Sequence, residues 1–173
     1  MPKIIENVRE LLLEEAKRQI AEYGYSKTTI RSVSKACGLA SGTVYNYFPS
    51  KDMLIASVMA EDWKLCLQRM ERYASAEPEQ LIHGIYTTLL EYIQKYQALF
   101  CDKDAVKVYA TMFSERHQQL RQQLAVCVRK ICDKANVTDK DFLAEWIAEA
   151  LLTWTVAGKG IDEQYEIIKQ LIK

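Results

Sequence analysis

The sequence is poor in the residues that make turns. Its 173 residues include only 6 glycines and 3 prolines, whereas an all-β domain needs a turn about every ten residues. No run of alternating polar and apolar residues is long enough to predict a strand. The sequence therefore predicts an all-α protein, and a hydrophobic content of 49% predicts a buried core.

Net charge and long apolar runs are also missing. The 23 Lys and Arg residues balance the 23 Asp and Glu residues, so any binding to a polyanion has to depend on a local patch. No stretch approaches the roughly 18 uncharged apolar residues of a membrane span, and the N-terminus has no apolar signal-peptide core. We therefore expect a cytoplasmic protein without a membrane partner.

The five cysteines are an odd number, and their spacing does not pair them. Reduced, mostly buried thiols are the simplest interpretation. Cys127 and Cys132 have no neighbouring histidine or second cysteine pair, which disfavours structural zinc. The sequence also has no Walker motif, His-Glu metal signature or nucleophile elbow. We expect no metal, no cofactor and no enzymatic activity.

Apolar residues recur at helical spacing along most of the sequence. After Pro78, which suits the first turn of a helix, successive gaps of 3, 4, 4, 3 and 4 separate Ile82, Ile85, Leu89, Ile93, Tyr96 and Phe100. Similar spacing predicts a first helix that ends at Gly24, short helices over 28–36 and 40–48, and a long helix capped by Ser50.

Other turn and cap signals divide the rest of the chain. Thr28 and Thr138 are the predicted N-caps of the helices that follow them. Residues 100–103 are predicted to form a loop. The sequence Gly158-Lys159-Gly160 predicts a turn before a final helix over 161–172.

Residues 28–48 have the pattern of a helix-turn-helix. The first helix would pack Ile30, Val33 and Ala36 on a core, and Cys37-Gly38-Leu39 would form the turn, where glycine accepts a positive φ. In the second helix Val44 and Phe48 are four residues apart and are predicted to face inward.

The remaining residues of the second helix suit a DNA major groove. Ser41 and Gly42 are small and allow close approach, Thr43 lies beside them, Tyr45 offers a ring and a hydroxyl, and Asn46 can pair with adenine or hold a phosphate.

Local charge agrees with DNA binding. Between residues 26 and 51 the charged residues are Lys27, Arg31, Lys35 and Lys51, a local charge of +4 without an acid. Lys51, at the start of the long helix, is placed to reach a phosphate. The alternative interpretation is that both short helices serve only a core.

The stretch from about Ala16 to Ala56 resembles the DNA-binding module of the TetR (tetracycline-repressor-like) family of transcriptional regulators. The residues that carry the resemblance are Ala21, Gly24, Thr28-Thr29-Ile30, Ala36-Cys37-Gly38-Leu39, Gly42-Thr43-Val44-Tyr45, Tyr47-Phe48 and Ser50-Lys51-Asp52-Met53-Leu54. Two departures stand out. Ala40 occupies a position that is often a capping serine, and Ser32 and Ser34 replace a common acid and alanine, which we expect to alter the surface of the helix more than the fold.

The resemblance implies roles for individual residues. Thr29, Arg31, Tyr47 and Lys51 would hold phosphates, and Ser41, Gly42, Thr43, Tyr45 and Asn46 would lie in or beside the groove. It also implies a three-helix DNA-binding domain at residues 1–50, and a helical bundle for effector binding and dimerisation at residues 51–173.

The C-terminal helices support a homodimer independently of the resemblance. The helix that precedes Gly158 is apolar over a wide arc, more than one monomer core needs, and the last helix adds further apolar residues. The predicted interface residues are Phe142, Trp146, Ala150, Trp154, Ile161, Tyr165 and Ile168. The alternative is a helix buried deeply within one monomer.

A small apolar or aromatic effector is the remaining partner that the resemblance implies. Candidate pocket residues combine apolar rings with Tyr hydroxyls and Met sulfurs, although each on its own suits an ordinary core. They are Trp63, Leu67, Met70, Tyr86, Leu89, Tyr92, Tyr96, Tyr109, Met112 and Phe113.

The sequence thus predicts a TetR-like regulator that binds a palindromic double-stranded DNA operator as a homodimer and is released by an effector. Repression is the family default. The main alternative is a co-regulator that acts through protein–protein contacts, without an operator or effector of its own.

Overall fold

The structure, a computed structural model, describes residues 7–173, and of residues 100–101, 104, 106–116 and 134 it describes the backbone alone. Over this range it contains eight α-helices, one 3-10 helix and no strand, which confirms the all-α prediction. The helices are α1 (Val8–Lys27), α2 (Ile30–Ala36), α3 (Ser41–Tyr47), α4 (Lys51–Glu71), α5 (Pro78–Cys101), α6 (Lys103–Val128), the 3-10 helix (Arg129–Lys134), α7 (Lys140–Val156) and α8 (Ile161–Leu171). None of these helices, as far as they are described, is long and apolar enough to cross a membrane.

Local signals set several helix ends as predicted. Pro78 is the first residue of α5. Ser50 Oγ accepts a hydrogen bond from the Met53 amide at 3.1 Å and caps α4. Gly24, the predicted end of the first helix, interrupts α1 with a φ of +78°, a conformation that costs glycine little, but α1 continues beyond it to Lys27.

Two predicted boundaries in the second half of the chain also need correction. Asp139, not Thr138, caps α7, because its Oδ1 accepts a hydrogen bond from the Phe142 amide at 2.9 Å. The predicted loop over 100–103 is a one-residue interruption at Asp102, since α5 continues to Cys101 and α6 begins at Lys103.

The chain divides into two compact units. The first consists of the residues up to Asp62 together with Lys95–Tyr109, and the second consists of Trp63–Gln94 and Ala110–Lys173. The first unit therefore takes in two segments that lie beyond residue 50, the boundary predicted from the sequence.

Each unit has its own apolar core. The core of the first unit joins α1, α2 and α3 to the start of α4, and its buried residues are Leu12, Leu13, Ala16, Ile30, Val33, Val44, Phe48, Leu54 and Val58. The core of the second unit contains the fully buried residues Met70, Ile82, Ile85, Leu124, Val128, Ile147 and Leu151.

A carboxylate with three hydrogen-bond donors lies inside the first unit. Asp62 of α4 is 6% exposed. Its Oδ1 accepts from Lys17 Nζ of α1 at 2.5 Å, and its Oδ2 accepts from Lys95 Nζ and, at 2.6 Å, from Tyr96 Oη of α5. Burial acts to raise the pKa of Asp62, but these three donors outweigh it and hold the pKa below the ordinary value. The ionised carboxylate of Asp62 thus connects α4 to α1 and α5, and these four residues are called the Asp62 cluster.

We expect Asp62→Asn to lower the free energy of unfolding by about 2 kcal/mol at neutral pH, since hydrogen bonds to charged groups contribute about 1.5–3 kcal/mol and both lysines remain partly exposed. The folded-state pKa lies below the ordinary 3.8, so this stability is present above about pH 4 and is lost as the pH falls through the lowered pKa. Urea denaturation at neutral and acidic pH measures both effects.

Glu91→Gln is the control for this substitution. Glu91 pairs with Arg69 at 2.6 Å, with both side chains about half exposed, and its loss should leave stability almost unchanged. Equal losses at the two positions, or a loss at Asp62 that does not depend on pH, would contradict the role given to the cluster.

Candidate nucleic-acid interface

The interface is built on the two short helices of the first unit. Ile30 and Val33 of α2 and Val44 of α3 are buried, and Phe48 directly after α3 is 2% exposed. These positions agree with the predicted inward face, except that Ala36 at the end of α2 is exposed. Burial of these side chains holds both helices against α1.

The turn between the helices follows the predicted pattern. Gly38 has a φ of +67°, and the Leu39 amide donates to the Ser34 carbonyl at 2.8 Å. Leu39 is partly buried against the core. Burial raises the pKa of the Cys37 thiol in this turn, so the thiol stays protonated at neutral pH.

Helix α2 is capped by Thr29 rather than by Thr28. The Ser32 amide donates to Thr29 Oγ1 at 3.0 Å, and the Thr29 amide donates to Ser32 Oγ at 2.9 Å. This reciprocal pair is a capping box. Thr28 is buried, and its hydroxyl donates to the Gly24 carbonyl at 2.9 Å. Ser32, noted above as a departure from the family pattern, thus closes the cap.

The N-terminus of α3 has no side-chain cap. Ala40 is the N-cap residue, and its carbonyl accepts from the Thr43 amide at 2.9 Å. Ser41 Oγ instead lies 3.0 Å from Ser34 Oγ. From the sequence, Ser34 is expected to alter the surface of α2. This expectation is wrong, because Ser34 is 3% exposed and its hydroxyl is buried.

The outer side of α3 carries the predicted groove residues. Tyr45 is 53% exposed and Tyr47 is 46% exposed. Gly42 and Asn46 are also exposed, whereas Ser41 and Thr43 are half-buried. One seven-residue helix therefore presents two phenol rings and an amide while its opposite side is buried.

Exposed cations precede this helix in the sequence. Lys27, Arg31 and Lys35 are exposed, and among the described residues no carboxylate forms an ion pair with any of the three. Thr29, another phosphate-binding candidate, is also exposed, and it lies between Lys27 and Arg31 in the sequence. An unneutralised group of this kind favours phosphate binding.

Lys51 is held by a neighbour that sequence reasoning missed. Its Nζ lies 3.6 Å from the centre of the Tyr25 ring, which places the ammonium over the aromatic face. The Tyr25 hydroxyl donates to Asp52. In the sequence Tyr25 is notable only as an aromatic residue directly after Gly24, and its distance from Lys51 along the chain does not predict this contact.

The residues predicted for the dimer interface divide into exposed and buried groups. Phe142, Trp146 and Trp154 are 65%, 44% and 50% exposed. Ala150, Ile161 and Tyr165 are half-buried. Ile168 is 1% exposed within the core of the second unit, so its side chain is not available to a second copy.

An apolar groove follows the exposed part of this surface. It has a volume of about 310 Å³ and lies between α7 and α8. The residues that line it are Trp146, Ala150, Trp154, Lys159, Glu163, Gln164, Ile167 and Ile168. Ile167, which the sequence analysis did not select for the interface, is 58% exposed.

The effector candidates lie in three settings. Trp63, Met70 and Leu89 are buried in the core of the second unit, and Leu67 and Tyr92 pack against it; Tyr86 is half-buried. Tyr96 belongs to the Asp62 cluster of the first unit. The side chains of Tyr109, Met112 and Phe113 lie outside the described residues. The described side chains also include no cluster of three or more His, Cys, Asp or Glu residues that could hold a metal ion.

Comparison with known proteins agrees with this geometry. Residues 12–58 match the family model described as bacterial regulatory proteins, tetR family. The chain is 37% identical over 81 residues to the HTH-type transcriptional repressor Rv1474c of Mycobacterium tuberculosis, covering 44% of this chain and 41% of that protein. It is 29% identical over 89 residues to the HTH-type transcriptional repressor KstR2 of the same species, covering 50% and 44%. The chain thus spans less than half the length of these curated relatives.

Solved structures extend the likeness to the whole fold. The TetR family repressor AlkX from Dietzia superposes with a TM-score of 0.68 at 14% identity, over 97% of this chain and 98% of that one. The fatty acid degradation regulator FadR from Bacillus halodurans superposes with a TM-score of 0.61 at 16% identity, over 98% and 96%. Each of the relatives named here is described as a repressor or a regulator. Residues 12–58 are thus similar to the helix-turn-helix segment of the tetR family of bacterial regulatory proteins.

Proposed function

We propose that the chain is a cytoplasmic transcriptional repressor that binds a palindromic DNA operator as a homodimer and is released by a small apolar or aromatic effector. The observation that carries the proposal is that α3 is buried on one side and exposes aromatic and polar side chains on the other. Val44 is completely buried, while Tyr45 and Tyr47 on either side of the exposed Asn46 are about half exposed. A helix that served only a core would not need to present two phenol rings to water beside unpaired cations.

The proposed DNA contacts divide into two kinds. Thr29, Arg31, Tyr47 and Lys51 hold phosphates, which position the protein without reading sequence. The base edges are read from α3, where the small Ser41 and Gly42 allow close approach; the other groove residues are Thr43, Tyr45 and Asn46.

The homodimer is supported by the exposed apolar side chains of α7 and α8. Three exposed aromatic residues and Ile167 are more apolar surface than two helices of a monomer usually leave in water. Pairing α7 and α8 with the same helices of a second copy forms a four-helix bundle. A twofold dimer of this kind presents two α3 helices to half-sites about 34 Å apart, one turn of DNA.

Release by an effector is supported by the continuity of α4. This helix begins at Lys51, one of the proposed phosphate contacts, and continues to Glu71, so that it also contains three of the pocket candidates, Trp63, Leu67 and Met70. A ligand that binds best when α4 is displaced would move Lys51. It would also change the distance between the two α3 helices of the dimer, which would then no longer match the two half-sites. Two of the candidates, Trp63 and Tyr92, are in contact, since their rings meet edge-on at 5.4 Å, and Trp63 Nε1 donates to Gln123 Oε1 at 2.7 Å.

Two substitutions separate the kinds of DNA contact. We expect Lys51→Ala to weaken binding to all duplexes alike and to reduce the slope of log affinity against log salt by about 0.9, because one phosphate contact is lost. Tyr45→Ala should change base preference instead. Fluorescence anisotropy with a duplex obtained by selection, and with variants of that duplex, measures both effects.

Lys130→Ala is the control, because Lys130 is exposed but lies in the second unit. It should leave the affinity and the salt dependence unchanged. If the wild-type protein binds no duplex in the selection, the co-regulator alternative is correct and the proposal fails.

For the dimer, we expect Trp146→Glu to convert a dimer to a monomer, because it places a charge on the apolar groove. Val126→Glu is the matched control, since Val126 is 76% exposed on α6 and does not line the groove. Sedimentation velocity gives the masses. A wild-type monomer, or a Trp146→Glu dimer as stable as the wild type, would refute the proposed interface.

For the effector, we expect a ligand from a panel of small apolar and aromatic compounds to release bound operator and to change tryptophan fluorescence. By linkage, operator DNA has to weaken the binding of that ligand by the same factor. Equal ligand affinity for free and DNA-bound protein would rule out the mechanism.

A further inference from the structure

Two serines from different helices meet inside the helix-turn-helix. Ser34 of α2 is 3% exposed. Its Oγ lies 3.1 Å from the Arg31 carbonyl oxygen and 3.0 Å from the Oγ of Ser41, the first residue of α3. Ser41 is half-buried and is one of the residues proposed to lie in or beside the DNA groove. The pair therefore connects an internal hydroxyl to the DNA-binding side of α3.

The number of hydrogens decides the direction of these bonds. A serine hydroxyl carries one hydrogen and two acceptor lone pairs, whereas a carbonyl can only accept. The Arg31 contact is a hydrogen bond only if Ser34 donates to it. Ser34 then has only lone pairs for Ser41, and Ser41 has to donate.

The opposite direction is less favourable. If Ser34 donated to Ser41, the bond to the Arg31 carbonyl would be lost and a buried hydroxyl would make one hydrogen bond fewer. In the chain Ser41 to Ser34 to Arg31 both contacts are satisfied, and each bond polarises the next. The geometry thus fixes the hydrogen of Ser41 toward the protein interior.

We propose that Ser34 is a positioning residue that makes Ser41 a pure hydrogen-bond acceptor toward DNA. This inference rests on the proposed function, because it needs Ser41 to meet a base. Phosphate oxygens only accept, so Ser41 cannot bind one. In the major groove adenine N6 and cytosine N4 donate, whereas guanine N7 and O6 and thymine O4 accept. At the base that it contacts, Ser41 therefore selects adenine or cytosine against guanine or thymine.

The experiment uses the full chain and a duplex obtained by selection. Each half-site position is changed in turn, and affinities are measured for the wild type, Ser34→Ala and Ser41→Ala. We expect one position per half-site at which the wild type prefers adenine or cytosine by about fivefold, a ratio that corresponds to one hydrogen bond. Ser34→Ala frees the Ser41 hydrogen and should abolish or invert this preference, and Ser41→Ala should abolish it.

An analogue of the preferred base isolates the proposed bond. Replacing that base by one that lacks only the exocyclic amino group should weaken wild-type binding about fivefold and leave Ser41→Ala binding unchanged. Because Ser41→Ala leaves the buried Ser34 in place, this measurement holds even if Ser34→Ala does not fold.

Ser32→Ala is the matched control. It removes another serine hydroxyl from α2, the one in the capping box, and should lower stability without altering the preference at the Ser41 position. Failure of the wild type to bind any duplex would overturn the proposed function. Binding in which the Ser41 position prefers guanine or thymine, or in which a folded Ser34→Ala keeps every base preference, would overturn this inference and leave the proposed function intact.

Discussion

The burial of Val44 and Phe48 is the constraint on which the proposed DNA-binding face depends. Helices α2 and α3 have seven residues each, about half the length at which an isolated helix becomes stable in water. Neither helix can persist without packing against the rest of its unit. The two inward side chains therefore set the rotation of α3 about its own axis. Once that rotation is fixed, Tyr45, Asn46 and Tyr47 have to point outward.

Serine and threonine hydroxyls form hydrogen bonds at the starts of both short helices, in addition to the apolar packing. The Thr29 and Ser32 pair satisfies the start of α2, and the Ser34 and Ser41 pair crosses the turn to the start of α3. Helices this short consist largely of end residues, so the fraction of backbone groups that need a partner outside the helix is large. At the start of α2 the side chains of Thr29 and Ser32 meet this need, whereas the start of α3 has no side-chain cap.

The sequence predicted the fold class, the helix-turn-helix and the inward face of α3 because these depend on apolar spacing over a few residues. It placed the caps of α2 and α7 one residue early, at Thr28 and Thr138. In each case the next residue also carries an oxygen, and the local backbone conformation decides between them. The departure at Ser34 was visible, but its burial was not, since a serine directly before Lys35 resembles a surface residue.

Longer-range features could not be predicted in this way. Spacing identifies the apolar side of a helix but does not say whether the same chain covers it, and Ile168 is buried while the adjacent Ile167 is 58% exposed. The Asp62 cluster joins residues that are 45 and 33 positions apart, and charged residues at such distances carry no local signature. These contacts depend on how the helices pack.

The Asp62 cluster also determines how this protein can be divided. Lys95 and Tyr96 supply two of the three donors to a carboxylate that the N-terminal segment provides, and Ser26 near the end of α1 donates to Asp102 at 3.0 Å. A fragment cut after α4 would keep the charge and lose these partners. A chimera that transfers the first unit to another protein consequently has to carry residues 95–109 along with the N-terminal helices, because this unit is discontinuous in sequence.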